Sequence, residues 1–141
     1  MRERNPDWSG TRLNIHDVDG AYTVLQSDSG KVFMLSSTGG ACEITLPVAA
    51  ALQEGWHAKF VIKEDTPTGV ITIAAGSAII DMVMKDPGGN ASNSTAGTEK
   101  TLYAFHTECT KGDYINIFTD GNSYYAEAMS GIDDAIDHTV Q

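Results

Sequence analysis

The stretch DYINIFTDGNSYYAEAM (113–129) decides the reading of this chain. Two runs rich in β-branched and aromatic residues, 113–119 and 123–129, flank Asp120-Gly121-Asn122. Glycine at the centre of so short a connection can take the positive φ of a tight turn, so the stretch is read as a β-hairpin. Within the first run Tyr114, Ile115, Ile117 and Phe118 do not alternate cleanly, and the pattern leaves the buried face mixed.

Outward from this hairpin, the same grammar recurs. AYTVLQ (21–26), KVFMLS (31–36), ACEITL (41–46), WHAKFVIK (56–63), VITIAA (70–75), AIIDMVM (78–84) and TLYAFHTEC (101–109) are each bounded by Gly, Pro, Asp or Ser. With the hairpin this makes about nine short strands at close spacing, which favours an antiparallel sandwich or barrel over βαβ units. In 101–109 the alternation puts Tyr103, Phe105 and Cys109 on the core face. Trp56 opens its strand with a large surface to bury. The segment PVAAALQEG (47–55) has proline at a first helical position and glycine as a stop, and it predicts at most one short helix. No repeat of solenoid period is visible.

Three zones follow: an extended N-terminal arm over 1–20, a β domain over 21–128 and an acidic tail over 129–141. The 141 residues suit one domain, and 41% hydrophobic content is enough for a real core. The loop 85–100 is rich in Gly, Asn, Ser and Thr and lacks an apolar anchor, as a surface loop or one ordered by a neighbour does. Its sequons at Asn90 and Asn93 are not expected to be glycosylated. The polar first residues carry no apolar signal core, and no run approaches the length needed to span a bilayer, so synthesis in a cytoplasm is expected.

The net charge is −10. Such a surface repels nucleic acid and anionic lipid, because binding either rests on neutralising phosphates, so no nucleic-acid or membrane partner is expected. The charge is uneven. Three arginines against Glu3 and Asp7 give residues 1–12 a net +1, whereas six lysines against seventeen carboxylates leave 13–141 at −11. Arginine suits fixed contacts with carboxylates, and tryptophan is a frequent interface anchor. Arg2, Arg4, Trp8 and Arg12 are therefore the candidate partner-binding residues.

No catalytic residue is assigned. The chain has no G-x-S-x-G, P-loop or G-x-G-x-x-G, and Asp113 and Asp120 read as turn residues. His16-Asp17-Val18-Asp19-Gly20 resembles the start of a calcium loop, but Ala21 and Gln26 stand where further ligands belong, so a plain turn is expected. Of His57, His106, Cys42 and Cys109, only His106 and Cys109 are close in sequence, and on a strand they face opposite ways. No metal and no cofactor is expected, and both cysteines are expected to be buried free thiols.

Three segments in order resemble a known family: Asp28-Ser-Gly30-Lys31 after Tyr22, read as a hairpin; Ile44-Thr-Leu-Pro47 followed by Gly55-Trp56; and Gly112-Asp113 followed by Asp120-Gly121 and Tyr125. This order is similar to the small β modules of tailed-bacteriophage virions, found on capsid decoration proteins and at the ends of head or tail fibres. The resemblance implies a homotrimeric virion protein and transfers no catalytic residue. A chain without a fibrous shaft favours decoration, with the major capsid protein as partner and the capsid surface as location. A fibre or knob component contacting the host, and a carbohydrate-binding or hydrolytic β domain, are the alternatives.

Overall fold

A computed structural model describes residues 13–85, 87, 92–93 and 101–137. Among them are twelve strands: β1 (Asn14–Asp19), β2 (Tyr22–Thr23), β3 (Lys31–Ser36), β4 (Cys42–Thr45), β5 (His57–Ile62), β6 (Ile71–Ala74), β7 (Ile80–Lys85), β8 (Ser92–Asn93), β9 (Leu102–Phe105), β10 (Tyr114–Thr119), β11 (Tyr124–Met129) and β12 (Ile136–Asp137). Helical structure is confined to two 3-10 turns, Gln26–Asp28 and Ala49–Ala51. The all-β expectation therefore holds, and the segment 47–55 contributes one of the short turns.

The strands form two sheets. Sheet A runs β1-β3-β5-β10-β11-β7-β8, and sheet B runs β12-β9-β6-β4-β2. The chain reaches this arrangement by alternating between them: β1, β3 and β5 go to sheet A and β2, β4 and β6 to sheet B. Successive strands within each sheet are thus parallel. A further parallel pair joins β7 to β11. The expected purely antiparallel arrangement is corrected here. A strand that returns to its own sheet only after visiting the other one arrives in the same direction, and parallel pairing is the result.

This winding also explains why no period shows in the sequence. Asn14 pairs with Lys31 and Val32 with Lys59, offsets of 17 and 27, while Tyr22 pairs with Ile44 and Cys42 with Ile71, offsets of 22 and 29. The segment Asp28-Ser29-Gly30 closes no hairpin. It carries the chain from β2 in sheet B to β3 in sheet A, with Gly30 at φ 84°.

One hydrophobic core joins the sheets. Across sheet A the register aligns His16, Phe33, Phe60, Ile115, Ala128 and Met84. Phe33 and Phe60 stack at 5.2 Å between ring centroids. Across sheet B, Tyr22, Ile44, Ile73 and Tyr103 form one row, and Cys42, Ile71, Phe105 and Ile136 the next. Trp56 is buried, donates its indole N–H to the Gln26 carbonyl (3.1 Å), and meets Tyr124 edge-on. As read from sequence, Tyr103, Phe105 and Cys109 are buried.

Sheet A begins at Asn14, inside the segment 1–20 read as an arm, and Ile136–Asp137 adds a strand within the segment read as a tail. Alternating sequence was there to see in β1, where Val18 is buried, but charged and polar neighbours on an edge strand masked it.

Candidate functional site

Among the described residues two aspartates are buried, Asp28 and Asp113, and both are structural. Asp28 accepts hydrogen bonds from the Leu25 amide (2.8 Å), the Tyr22 hydroxyl (3.2 Å) and the Lys31 ammonium (2.6 Å). Burial pushes its carboxyl pKa up, yet these three donors together outweigh burial and hold it below the ordinary value. Asp113 accepts from the amides of Thr110 and Gly131, both at 2.8 Å, and from the Ser130 hydroxyl at 3.2 Å. It pins the turn before β10 to the chain leaving β11. Both acids are spent on donors of their own fold.

The aspartates beside His16 sit on β1 rather than in a turn. Asp17 pairs with Lys63 at 2.8 Å, and Asp19 accepts from the amide and hydroxyl of Thr38. His16 lies against the rings of Tyr22 and Phe33. Cys42 and Cys109 are both free thiols, but only Cys109 is buried. The expectation of two buried thiols is corrected for Cys42. It lies on the core-facing row, but β2 covers only Ile44 and Thr45 of β4, and the end of the strand at Cys42 stays half open. Burial pushes the Cys109 thiol up to about 12, with Asp113 adding to the shift.

The remaining feature is the outer face of sheet A. Register places Ile15, Val32, Lys59, Asn116, Glu127 and Val83 in one row across six strands. The adjacent outward row carries His57, Phe118, Tyr125 and Asp81. Phe118 and Tyr125 stack on each other at 5.4 Å, and Phe118 remains 52% exposed. Ile15, Val83 and Met129 are exposed on the same sheet. The mixed pattern in 113–119 is thereby resolved: Ile115 and Ile117 point inward, while Tyr114, Asn116 and Phe118 point outward.

These outward residues line a groove of about 700 Å³ over β7, β10 and β11, with Phe118, Tyr125 and Val83 as apolar walls and Asp81, Asn116 and Glu127 as polar ones. The hairpin turn braces one end. Asp120 accepts from the amides of Ser123 and Asn122, both at 2.8 Å, and from the Tyr125 hydroxyl at 3.0 Å. Those two amides, with the hydroxyl, lower its pKa, and Asp120 in turn raises that of Tyr125. Gly121 sits at φ 89° in this turn, as the hairpin reading requires. The Tyr125 ring is fixed at its hydroxyl end, so the aromatic pair is a rigid platform.

Sequence reasoning missed this face because its members are scattered over β7, β10 and β11 and look like ordinary strand residues. Phe118 breaking the alternation of its run was the one available signal. The partner-binding candidates Arg2, Arg4, Trp8 and Arg12 lie outside the described residues. Among those described, no group of three or more His, Cys, Asp or Glu is placed to hold a metal, and no helix is long and apolar enough to cross a membrane.

No family model matches the chain, and no curated protein matches it.

Proposed function

We propose that this chain is a structural protein of a bacteriophage virion, a capsid decoration protein that binds the assembled shell and stabilises it. Its partner in this reading is the major capsid protein, and it acts as a homotrimer on the capsid surface without enzymatic activity. The observation that carries the reading is the open face of sheet A. A sheet face bearing Ile15, Val83, Phe118, Tyr125 and Met129 toward solvent has the apolarity of a protein contact. The buried acids are already saturated, so they offer no acid–base pair to chemistry. In this reading the two sheets are the layers of a sandwich, the acidic body faces solvent, and Arg2, Arg4, Trp8 and Arg12 reach the shell.

The test is attachment to purified shells. The chain adds to them in a fixed ratio and raises their disruption temperature, and a variant lacking residues 2–12 keeps its far-ultraviolet spectrum but fails to attach. Unchanged shell stability at full occupancy would sink the cementing role. Mass in solution tests the trimer.

A second reading has its own support. Exposed aromatic rings beside Asp81, Asn116 and Glu127 are the groups that stack on and hydrogen-bond a sugar. A glycan array decides it: saturable binding that Phe118→Ala abolishes favours a carbohydrate-binding module, and silence removes it.

A further inference from the structure

We infer that copies of this chain meet through the outer face of sheet A, around an axis running along β10, so that the β3–β5 half of one face packs on the β11–β7 half of the next. The surface is argued from register, charge and area. Only the number of copies, three, rests on the homotrimer of the reading above.

Register comes first. Rotation about an axis parallel to a strand keeps every residue at its own level along that strand. Each outward residue therefore meets the one equally far from β10 on the other side. Lys59 and Glu127 stand one strand to either side of Asn116 at one level, and Val32 and Val83 stand two strands out. At the next level Val61 and Met129 flank Tyr114. The lysine of one copy thus meets the carboxylate of the next, valine meets valine, and Val61 meets Met129. Among the described residues neither Lys59 nor Glu127 is in an ion pair of its own chain. Phe118, on β10 itself, faces the axis.

Charge is the second argument. Residues 13–141 sum to −11, so two bodies of this chain repel over most of their surface. From β3 to β7 the outward positions carry two lysines, Lys59 and Lys85, against two carboxylates, Asp81 and Glu127, and this face is neutral. It is also where apolar side chains gather. Of the nine large hydrophobic residues exposed among those described, Ile15, Val83, Phe118, Tyr125 and Met129 stand on it. A neutral apolar face is the place where acidic chains can associate.

Area is the third. β1, β3, β5, β7, β10 and β11 are each six residues long. At about 4.8 Å between strands and about 3.3 Å per residue they span roughly 29 by 20 Å, a plane of about 600 Å² before side-chain relief is counted. A stable interface takes about 800 Å² from each partner, and a face of this size reaches that range. The contact covers the groove over β7, β10 and β11, so it and sugar binding there exclude each other.

Sedimentation equilibrium of the full-length chain tests this, with the near-ultraviolet spectrum as the check of fold. The parent is expected at three copies. Glu127→Lys makes the chain less acidic, so general repulsion alone would tighten association. The inference expects the opposite, association weaker by about tenfold or more with an unchanged spectrum, because two lysines then meet. Lys59→Glu weakens it likewise, and the Lys59→Glu/Glu127→Lys chain regains it. A monomeric parent, or a Glu127→Lys chain that associates as the parent does, overturns the surface. Single variants that weaken association while the double variant fails to restore it overturn the axis along β10. A parent of two copies with the expected variant behaviour keeps the surface and overturns the homotrimer instead.

Discussion

Gly69→Ala adds a single carbon where two windings of the chain touch. Gly69 lies between β5 and β6, against the backbone just ahead of β4. A Cβ built on it would stand 2.1 Å from the Ala41 nitrogen and 2.2 Å from the Gly40 carbonyl carbon. Ordinary contact is about 3.5 Å, so the two backbones must part by roughly 1.4 Å. Neither wall is a side chain that can swing away. The Ser37 hydroxyl donates to the Gly69 carbonyl at 2.9 Å and accepts from its amide at 3.1 Å, both buried, and that separation breaks both bonds. Overpacking costs about 1–3 kcal/mol and the unmade buried hydrogen bonds a similar amount, for a total of roughly 3–5 kcal/mol. At this chain length that is on the order of 10–20 °C in Tm. Urea unfolding followed by Trp56 fluorescence measures it. Gly39→Ala is the control, since nothing lies within 4 Å of its Cβ and its φ is not positive. A loss below about 1 kcal/mol for Gly69→Ala would refute the close approach of the two windings.

Asp28→Ala leaves the Leu25 amide, Tyr22 hydroxyl and Lys31 ammonium without their acceptor and costs about 2–3 kcal/mol at pH 7. Because the folded pKa is lowered, the parent's advantage is present above the unfolded carboxylate value and is lost as pH falls through the folded one. The gap in midpoint between parent and variant should therefore close below about pH 4, and a pH-independent gap would contradict the assignment. Tyr124→Phe removes the donor to the Pro47 carbonyl and should cost about 1 kcal/mol in urea unfolding without altering the near-ultraviolet spectrum of Trp56. A thiol reagent at pH 8 should label Cys42 within minutes and Cys109 only on unfolding, since Cys109 is buried with its thiol pushed up to about 12; equal labelling rates would place Cys109 at the surface.

Strand identity was legible because these strands carry β-branched and aromatic runs between strong turn residues. KVFMLS at 31–36 coincides with β3, and the Asp120-Gly121 turn forms where it was read. Pairing was not legible. Turn chemistry reports that the chain reverses or bends locally, and it says nothing about whether the next strand stays in the same sheet. Gly30 with Asp28 looks like a hairpin and serves a crossing between sheets instead. The two-residue strands β2 and β12 are too short to carry a pattern, and β1 hid behind Asp17 and Asp19. The outer face of sheet A depends on register among β7, β10 and β11, which is a property of three distant segments at once. A sequence shows Phe118 and Tyr125 as two aromatics seven residues apart, but only the hairpin register stacks them.

The placement of β10 and β11 has a consequence for the order in which the protein can be made. This late hairpin is inserted between β5 and β7, strands that are complete at residues 62 and 85, well before β10 begins at residue 114. Until residue 129 has been synthesised, β5 and β7 each present a bare edge of amides and carbonyls, and Phe60 and Met82 lack their neighbours. Nascent chains on one messenger RNA are crowded together at this stage, and open edges of this kind are where strands from separate molecules pair wrongly. Completion of the hairpin closes both edges in one step, so the body becomes safe from its siblings only near the end of translation.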